Sequence, residues 1–234
     1  MLKMVFARPD KPRLLRKMIV DEMVSLGIGS LGIIAIISLF MGAVIVIQTA
    51  SNLDGGWIPM YNVGYAARQS IILEFSPTII ALILAGKIGS SIASELGTMR
   101  VSEQIDALEI MGINSANYLV LPKILGLIII NPFIIIISMA IGLTGGYFAG
   151  TLTGMLSTDD YVVGIQLDFR PFDIVYAMVK TVFFAFLVTA IPAYYGYYAK
   201  GGSVEVGKSS TTAVVVTSIL ILLVNYVLTQ LLLI

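Results

Sequence analysis

The sequence contains no cysteine and no histidine. Without thiols there are no disulfides and no thiolate chemistry, and without imidazole the His-based triads and the usual zinc sites are excluded. Charged residues are scarce too, at 12% against about 25% in soluble domains. The 14 basic and 14 acidic side chains cancel, which gives nucleic-acid binding no support. What the chain has instead is apolar surface: 58% of its 234 residues are hydrophobic, and the mean hydropathy is +0.96. An all-α integral membrane protein is the expectation. The N-terminal stretch is basic, but the first apolar run lacks a small-residue cleavage site and reads as a retained span rather than a signal peptide.

Runs near the roughly 20 residues needed to cross a bilayer fall at 28–48, 69–88, 124–149, 172–196 and 211–233. Together with residues 1–27 and the 89–122 loop they make one membrane domain over 1–234. Lys and Arg set the orientation. The N-terminal segment carries Lys3, Arg8, Lys11, Arg13, Arg16 and Lys17; the loop after span two adds Lys87, Arg100 and Lys123; the loop after span four adds Lys200 and Lys208. The remaining loops hold Arg68 and Arg170. This asymmetry predicts a cytoplasmic N-terminus and a C-terminus on the outer side. Before span one, Leu14, Leu15, Met18, Ile19 and Met23 recur at helical spacing beside Arg13, Arg16 and Lys17. That pattern predicts an interfacial helix on the cytoplasmic leaflet; a solvated basic tail is the plainer alternative.

One polar segment stands between the apolar runs: Glu95–Pro122, ELGTMRVSEQIDALEIMGINSANYLVLP. Leu96, Met99, Ile105, Leu108 and Met111 supply apolar contacts while Glu95, Glu103, Asp106 and Glu109 supply charge. A short helix of this kind fits a groove on a soluble partner, or merely lies on the membrane. Span three ends in glycines at four-residue spacing, Gly142, Gly146, Gly150 and Gly154, which let a second backbone approach. That seam serves either packing within the chain or a dimer.

Ionisable residues inside spans are costly and point to function. Glu74 is placed about five residues into span two, roughly 8 Å deep, and Pro77 predicts a kink beside it by withholding an N–H from the Leu73 carbonyl. Lys180, mid-span four, is its expected partner, with Asp173 seven residues earlier on the same face. A polar network of Glu74, Asp173 and Lys180 is the expectation. An ion-gradient-coupled transporter or channel using these three is the alternative function, though five spans without a repeat argue against the usual inverted-repeat design. A Ser–Lys hydrolase has no serine near Lys180 in span four. Gly202–Ser209 fits G-x-x-x-x-G-K-[ST], but it lies between two spans with no α/β domain around it, and reads as a turn before the last helix.

Three stretches carry a family resemblance. AGKIGSSIASELGTMRVSEQIDALEIMGINSANYLVLPKI (Ala85–Ile124), Asp173 to Lys180 with FFAF following, and GGSVEVGKSSTTAVV (Gly201–Val215) resemble the MlaE permeases of lipid-transporting ABC systems. The resemblance implies an interfacial helix plus five spans in a homodimer. It also implies a coupling helix over Glu95–Met111 that docks on a cytoplasmic ATPase through Glu95, Met99, Arg100, Glu103, Gln104, Asp106, Leu108 and Met111. ATP and Mg belong to that ATPase, so this chain has no catalytic residues, metal or cofactor of its own. Phospholipid is the implied substrate, held by Val44, Gln48, Leu73, Glu74, Phe75 and Pro77. A periplasmic MCE-domain protein and a small cytoplasmic accessory protein are the other implied partners, and the bacterial inner membrane the implied location. In span two, many family members have Arg-Glu-Leu-Gly-Pro where this chain has Leu73-Glu74-Phe75-Ser76-Pro77, so a headgroup contact from that arginine is missing.

Overall fold

The computed structural model describes residues 1–7, 12–53 and 58–233. Two of the basic residues used for orientation, Arg8 and Lys11, lie outside the described residues. Every regular element among the described residues is helical. In chain order these are α1 (Leu2–Val5), α2 (Pro12–Glu22), α3 (Leu31–Leu53), α4 (Tyr61–Ser70), α5 (Ile80–Leu84), α6 (Ser90–Val101), α7 (Gln104–Ile110), α8 (Ser115–Leu152), α9 (Thr158–Gln166), α10 (Pro171–Tyr197) and α11 (Ser203–Leu233).

Among the described residues, five continuous helical stretches are long and apolar enough to span a membrane: Pro12–Leu53, Tyr61–Val101, Ser115–Leu152, Pro171–Tyr197 and Ser203–Leu232. They outrun the apolar runs because a helix does not end where its hydrophobicity does. Helix α8, with 38 residues, is about 57 Å long at 1.5 Å per residue, well beyond a hydrocarbon core of about 30 Å. The second stretch is not uniform. Wide π-helical turns at Ile71–Ile79 and Ala85–Gly89 interrupt it, with α5 between them. The first is interrupted at Met23–Gly27 and by a tight turn at Ile28–Ser30, which separates α2 from α3.

The helices group into two compact units. The first comprises Met1–Gly29, Ala81–Asn131 and Thr181–Ile234. Within it α11 packs along α6, and small residues permit the approach: a Cβ on Gly97 would meet Val206, and one on Gly196 would meet the Ala93 backbone. The end of α2 lies on Gly126 of α8, and the Lys87 ammonium donates to the Gly29 carbonyl at the turn leading into α3.

The second unit comprises Ser30–Ile80 and Pro132–Lys180. Here α3 and α8 touch backbone to backbone. A Cβ on Gly42 would fall on the Gly142 carbonyl, and one on Gly145 on that of Leu39. The glycine ladder of span three is therefore used within the chain, Gly142 against α3, Gly146 against Val46 and the Tyr161 hydroxyl, and Gly150 against Val46 and Leu156. Gly154 ends the series in a left-handed turn, φ +71°. Helix α9 crosses α4 at a second glycine pair, Gly64 and Gly164. Its open C-terminal carbonyls are capped by Arg68, which is 1% exposed and donates to the carbonyls of Ile165 (2.7 Å), Leu167 (2.9 Å) and Asp168 (3.2 Å). A cation there satisfies both orphan acceptors and the helix dipole. Tyr65 and Phe169 flank its guanidinium at 5.2 and 5.5 Å. By sequence this arginine was an ordinary loop charge; the fold buries it.

Candidate functional sites

The first site lies in the second unit and begins with Pro77. A proline inside a helix cannot donate to the carbonyl four residues back and clashes with it. The chain answers by widening into the π-helical turn Ile71–Ile79, which contains both Pro77 and Glu74. In an α-helical register Pro77 would stand opposite the Leu73 carbonyl; here that carbonyl accepts from the Lys180 ammonium at 3.3 Å. Lys180 also donates to Glu74 Oε1 at 2.7 Å and sits 4.3 Å from the Tyr176 ring centre. Tyr176 donates to the same carboxylate oxygen at 3.4 Å, and Thr78 to Glu74 Oε2 at 3.2 Å. Lys180 is fully buried, whereas the Glu74 side chain is 41% exposed.

Glu74 is thirteen residues past Tyr61, so it lies roughly 20 Å along its helix. The polar segment Tyr61–Ser70 belongs to the same helical stretch. Asp173 stays out of the cluster. It is buried in the first turn of α10, where an acid suits the helix dipole, and seven residues put it about 10 Å from Lys180. Among the described residues it forms no ion pair. Tyr176 and Thr78 were missed in the sequence although each stands four residues from a charged partner on one helix face, a spacing that brings side chains together.

An apolar cleft in the same unit is lined by Ile37, Met41, Ile45, Phe75 and Ile79. Its polar floor is a buried serine chain, Ser38 to Ser138 at 2.8 Å and Ser138 to Ser76 at 3.2 Å. Of the expected lipid-binding residues only Phe75 lines this cleft. Pro77 is buried and Leu73 partly buried, while Val44 and Gln48 lie on the exposed face of α3.

The second site lies in the first unit, where the sequence placed the 89–122 loop. Residues Ser90–Val101 instead continue the second spanning stretch. The break comes at Ser102 and Glu103, the latter with φ +60°, after which α7 runs for seven residues. Arg100 bridges the break to Asp106 at 2.6 Å, and Gln104 donates to Ser102 Oγ at 2.9 Å. Gly112 closes α7 with φ +75°, a conformation open to glycine at no steric cost. Leu96 and Ile105 are fully buried, Met99 and Leu108 partly buried; Met111 is exposed. Beside it Ile110, which the sequence pattern passed over, is 87% exposed.

Glu95 is held at 2.9 Å by Lys123, which also takes Glu22 at 2.7 Å, so one buried lysine joins α2, α6 and α8. At the other end of α7, Glu109 Oε1 accepts from Ser115 Oγ and from the Tyr197 hydroxyl, both at 2.9 Å; those two lie 2.7 Å apart. The Tyr197 hydrogen bond first, then that of Ser115, holds the Glu109 carboxyl below its ordinary range. The Gly202–Ser209 motif is no phosphate loop. Residues from Ser203 are helical, and Glu205 turns its carboxylate back to the Gly202 N–H at 3.1 Å, the geometry of a helix cap.

These features define an integral membrane protein that is all-helical among the described residues, with five helices there long and apolar enough to span a membrane. The sequence matches the family Permease MlaE over residues 19–231, and the chain belongs to that family. It is 35% identical to a probable ABC transporter permease protein of Rickettsia bellii, over 94% of this chain and 85% of the relative. A similar protein of Synechocystis is 29% identical over 97% of this chain and 86% of its own length. The chloroplastic protein trigalactosyldiacylglycerol 1 of Arabidopsis thaliana is 30% identical over 86% of this chain and 57% of its own length.

Proposed function

We propose that this chain is the membrane subunit of an ABC transporter that moves phospholipid between the inner membrane of a bacterium and its periplasm or outer membrane. It forms the lipid path; ATP and Mg are handled by an ATPase on a separate chain. The observation that carries this reading is an ion pair set between two spanning helices beside an apolar cleft, in a chain of a permease family. A relative named after a diacylglycerol glycolipid supports a lipid cargo. In this reading Glu74 and the neighbouring Leu73, Phe75 and Pro77 meet lipid, with Val44 and Gln48 on the facing surface. Residues Glu95–Met111 meet the ATPase, with Ile110 and Met111 as the apolar tip and Arg100, Glu103, Gln104 and Asp106 as its polar rim. Two copies pair; the N-terminus is cytoplasmic and the C-terminus periplasmic, where an MCE-domain protein docks. A small accessory protein on the cytoplasmic side completes the assembly.

The test is purification of the tagged chain from its native membrane in mild detergent, beside a variant with Glu103→Lys and Asp106→Lys, with mass spectrometry of proteins and bound lipids. An ATPase that accompanies the native chain and is lost from the variant, with phospholipid bound, is the expected result. Its absence from both would overturn the reading. The Lys180–Glu74 pair also fits an ion-coupled transporter; transport by the chain alone in liposomes without ATP would favour that second reading.

A further inference from the structure

Helix α7 is too short to hold its own shape. Seven residues give two turns, far below the roughly 12–15 at which isolated helices become marginal. Left-handed residues stand at both its ends, Glu103 and Gly112, so the chain turns sharply at either side. Its start is tied by Arg100 and Asp106. Its end is tied by Glu109, whose one oxygen receives both Ser115 of α8 and Tyr197 of α10. Ser115 is 1% and Tyr197 5% exposed, while Ile110, the next residue, is almost wholly exposed. The first turn of α8 is gripped from another side: Asn114 donates to the Met4 carbonyl at 2.9 Å, and Asn117 to those of Val5 (2.6 Å) and Ala7 (3.0 Å).

We propose that Ser115 and Tyr197 are positioning residues that clamp the end of the Gln104–Ile110 helix to α8 and α10, so that force applied at Ile110 and Met111 by a partner enters those two helices directly. The proposal rests on the partner-docking reading above. It assigns Glu109 an inward structural task, distinct from the outward charge of Glu103 and Asp106. A carboxylate is suited to it because one oxygen accepts two hydroxyl donors at once. An amide oxygen can do the same.

The chain has no native cysteine, so Ile110→Cys can carry a single spin label. The complex recovered from native membranes and the chain alone are compared, each with Tyr197→Phe, Ser115→Ala, Glu109→Gln or Glu109→Ala. Tyr197→Phe and Glu109→Ala are expected to mobilise the label. They should also lower lipid-dependent ATPase activity about ten-fold, the size of one hydrogen bond to a charged group, while the ATPase still co-purifies. Glu109→Gln should rescue both readouts. An unmoved label in Tyr197→Phe, or a Glu109→Gln variant as damaged as Glu109→Ala, overturns the clamp and makes Glu109 a charged docking group. If no ATPase accompanies the native chain, the docking reading fails instead, and the label in the chain alone still decides whether the clamp exists.

Discussion

At the residue scale the determining contacts are made by buried cations. Lys180, Lys123 and Arg68 are each almost free of solvent exposure, and each is satisfied in full view of a helix irregularity or a helix end. Removing one leaves its acceptors stranded. Lys180→Met should therefore destabilise the chain by about 2–3 kcal/mol, below the 3–5 typical of a broken buried pair because Glu74 is partly exposed. Adding Glu74→Gln should recover much of that loss, since the stranded charge is then gone; unfolding temperatures in detergent for the two single variants and the double variant decide it. Glu109 gives a pH prediction. Its folded carboxyl titrates below the ordinary value of 4.5, with Tyr197 and Ser115 as the main causes and Arg100 adding to them. A depressed carboxyl contributes stability fully above the unfolded value and loses it as pH falls through the folded one. The advantage of the native chain over Glu109→Ala should thus be constant from pH 8 to about 5 and shrink below 4.5. An advantage that grows on acidification would contradict the geometry.

At the scale of elements, glycine sets which helices touch. Gly42 and Gly142 let α3 and α8 meet at backbone distance. A methyl group there has no room, so Gly42→Ala should cost about 3 kcal/mol, the upper end for overpacking, and sharply lower the yield of folded protein. Gly32→Ala on the same helix faces open space and should be close to neutral or slightly stabilising. Equal effects at the two positions would show that α3 and α8 are not packed this way. The α4–α9 crossing depends on Arg68 in the same manner. Arg68→Lys keeps the charge but lacks the planar fork that reaches three carbonyls. It should expose the segment around Ser157–Arg170 to proteolysis that the native chain resists.

At the scale of the whole chain, the count and order of the spanning helices were legible because bilayer thickness and hydropathy impose them directly. The family was legible from Ala85–Ile124, Asp173–Lys180 and Gly201–Val215, and the match over 19–231 agrees with it. Helix ends were not. The polar Tyr61–Ser70 and Ser90–Val101 carry no membrane signal, yet they are helical because they continue a helix already formed, where adding a residue is far easier than starting anew.

The sequence alone determined that this protein lives in a membrane, that it does so as helices, and that Glu74, Asp173 and Lys180 are the charges there that need a partner. Those follow from composition and from the expense of leaving charge or backbone unsatisfied in lipid. Only the tertiary structure decided which groups answer that need. Lys180 reaches Glu74 and the Leu73 carbonyl, Asp173 does not join them, and the glycine ladder faces α3 within the chain. Such choices depend on the rotation and crossing point of helices distant in sequence. Periodicity can name the face a residue occupies but not the neighbour that face will meet.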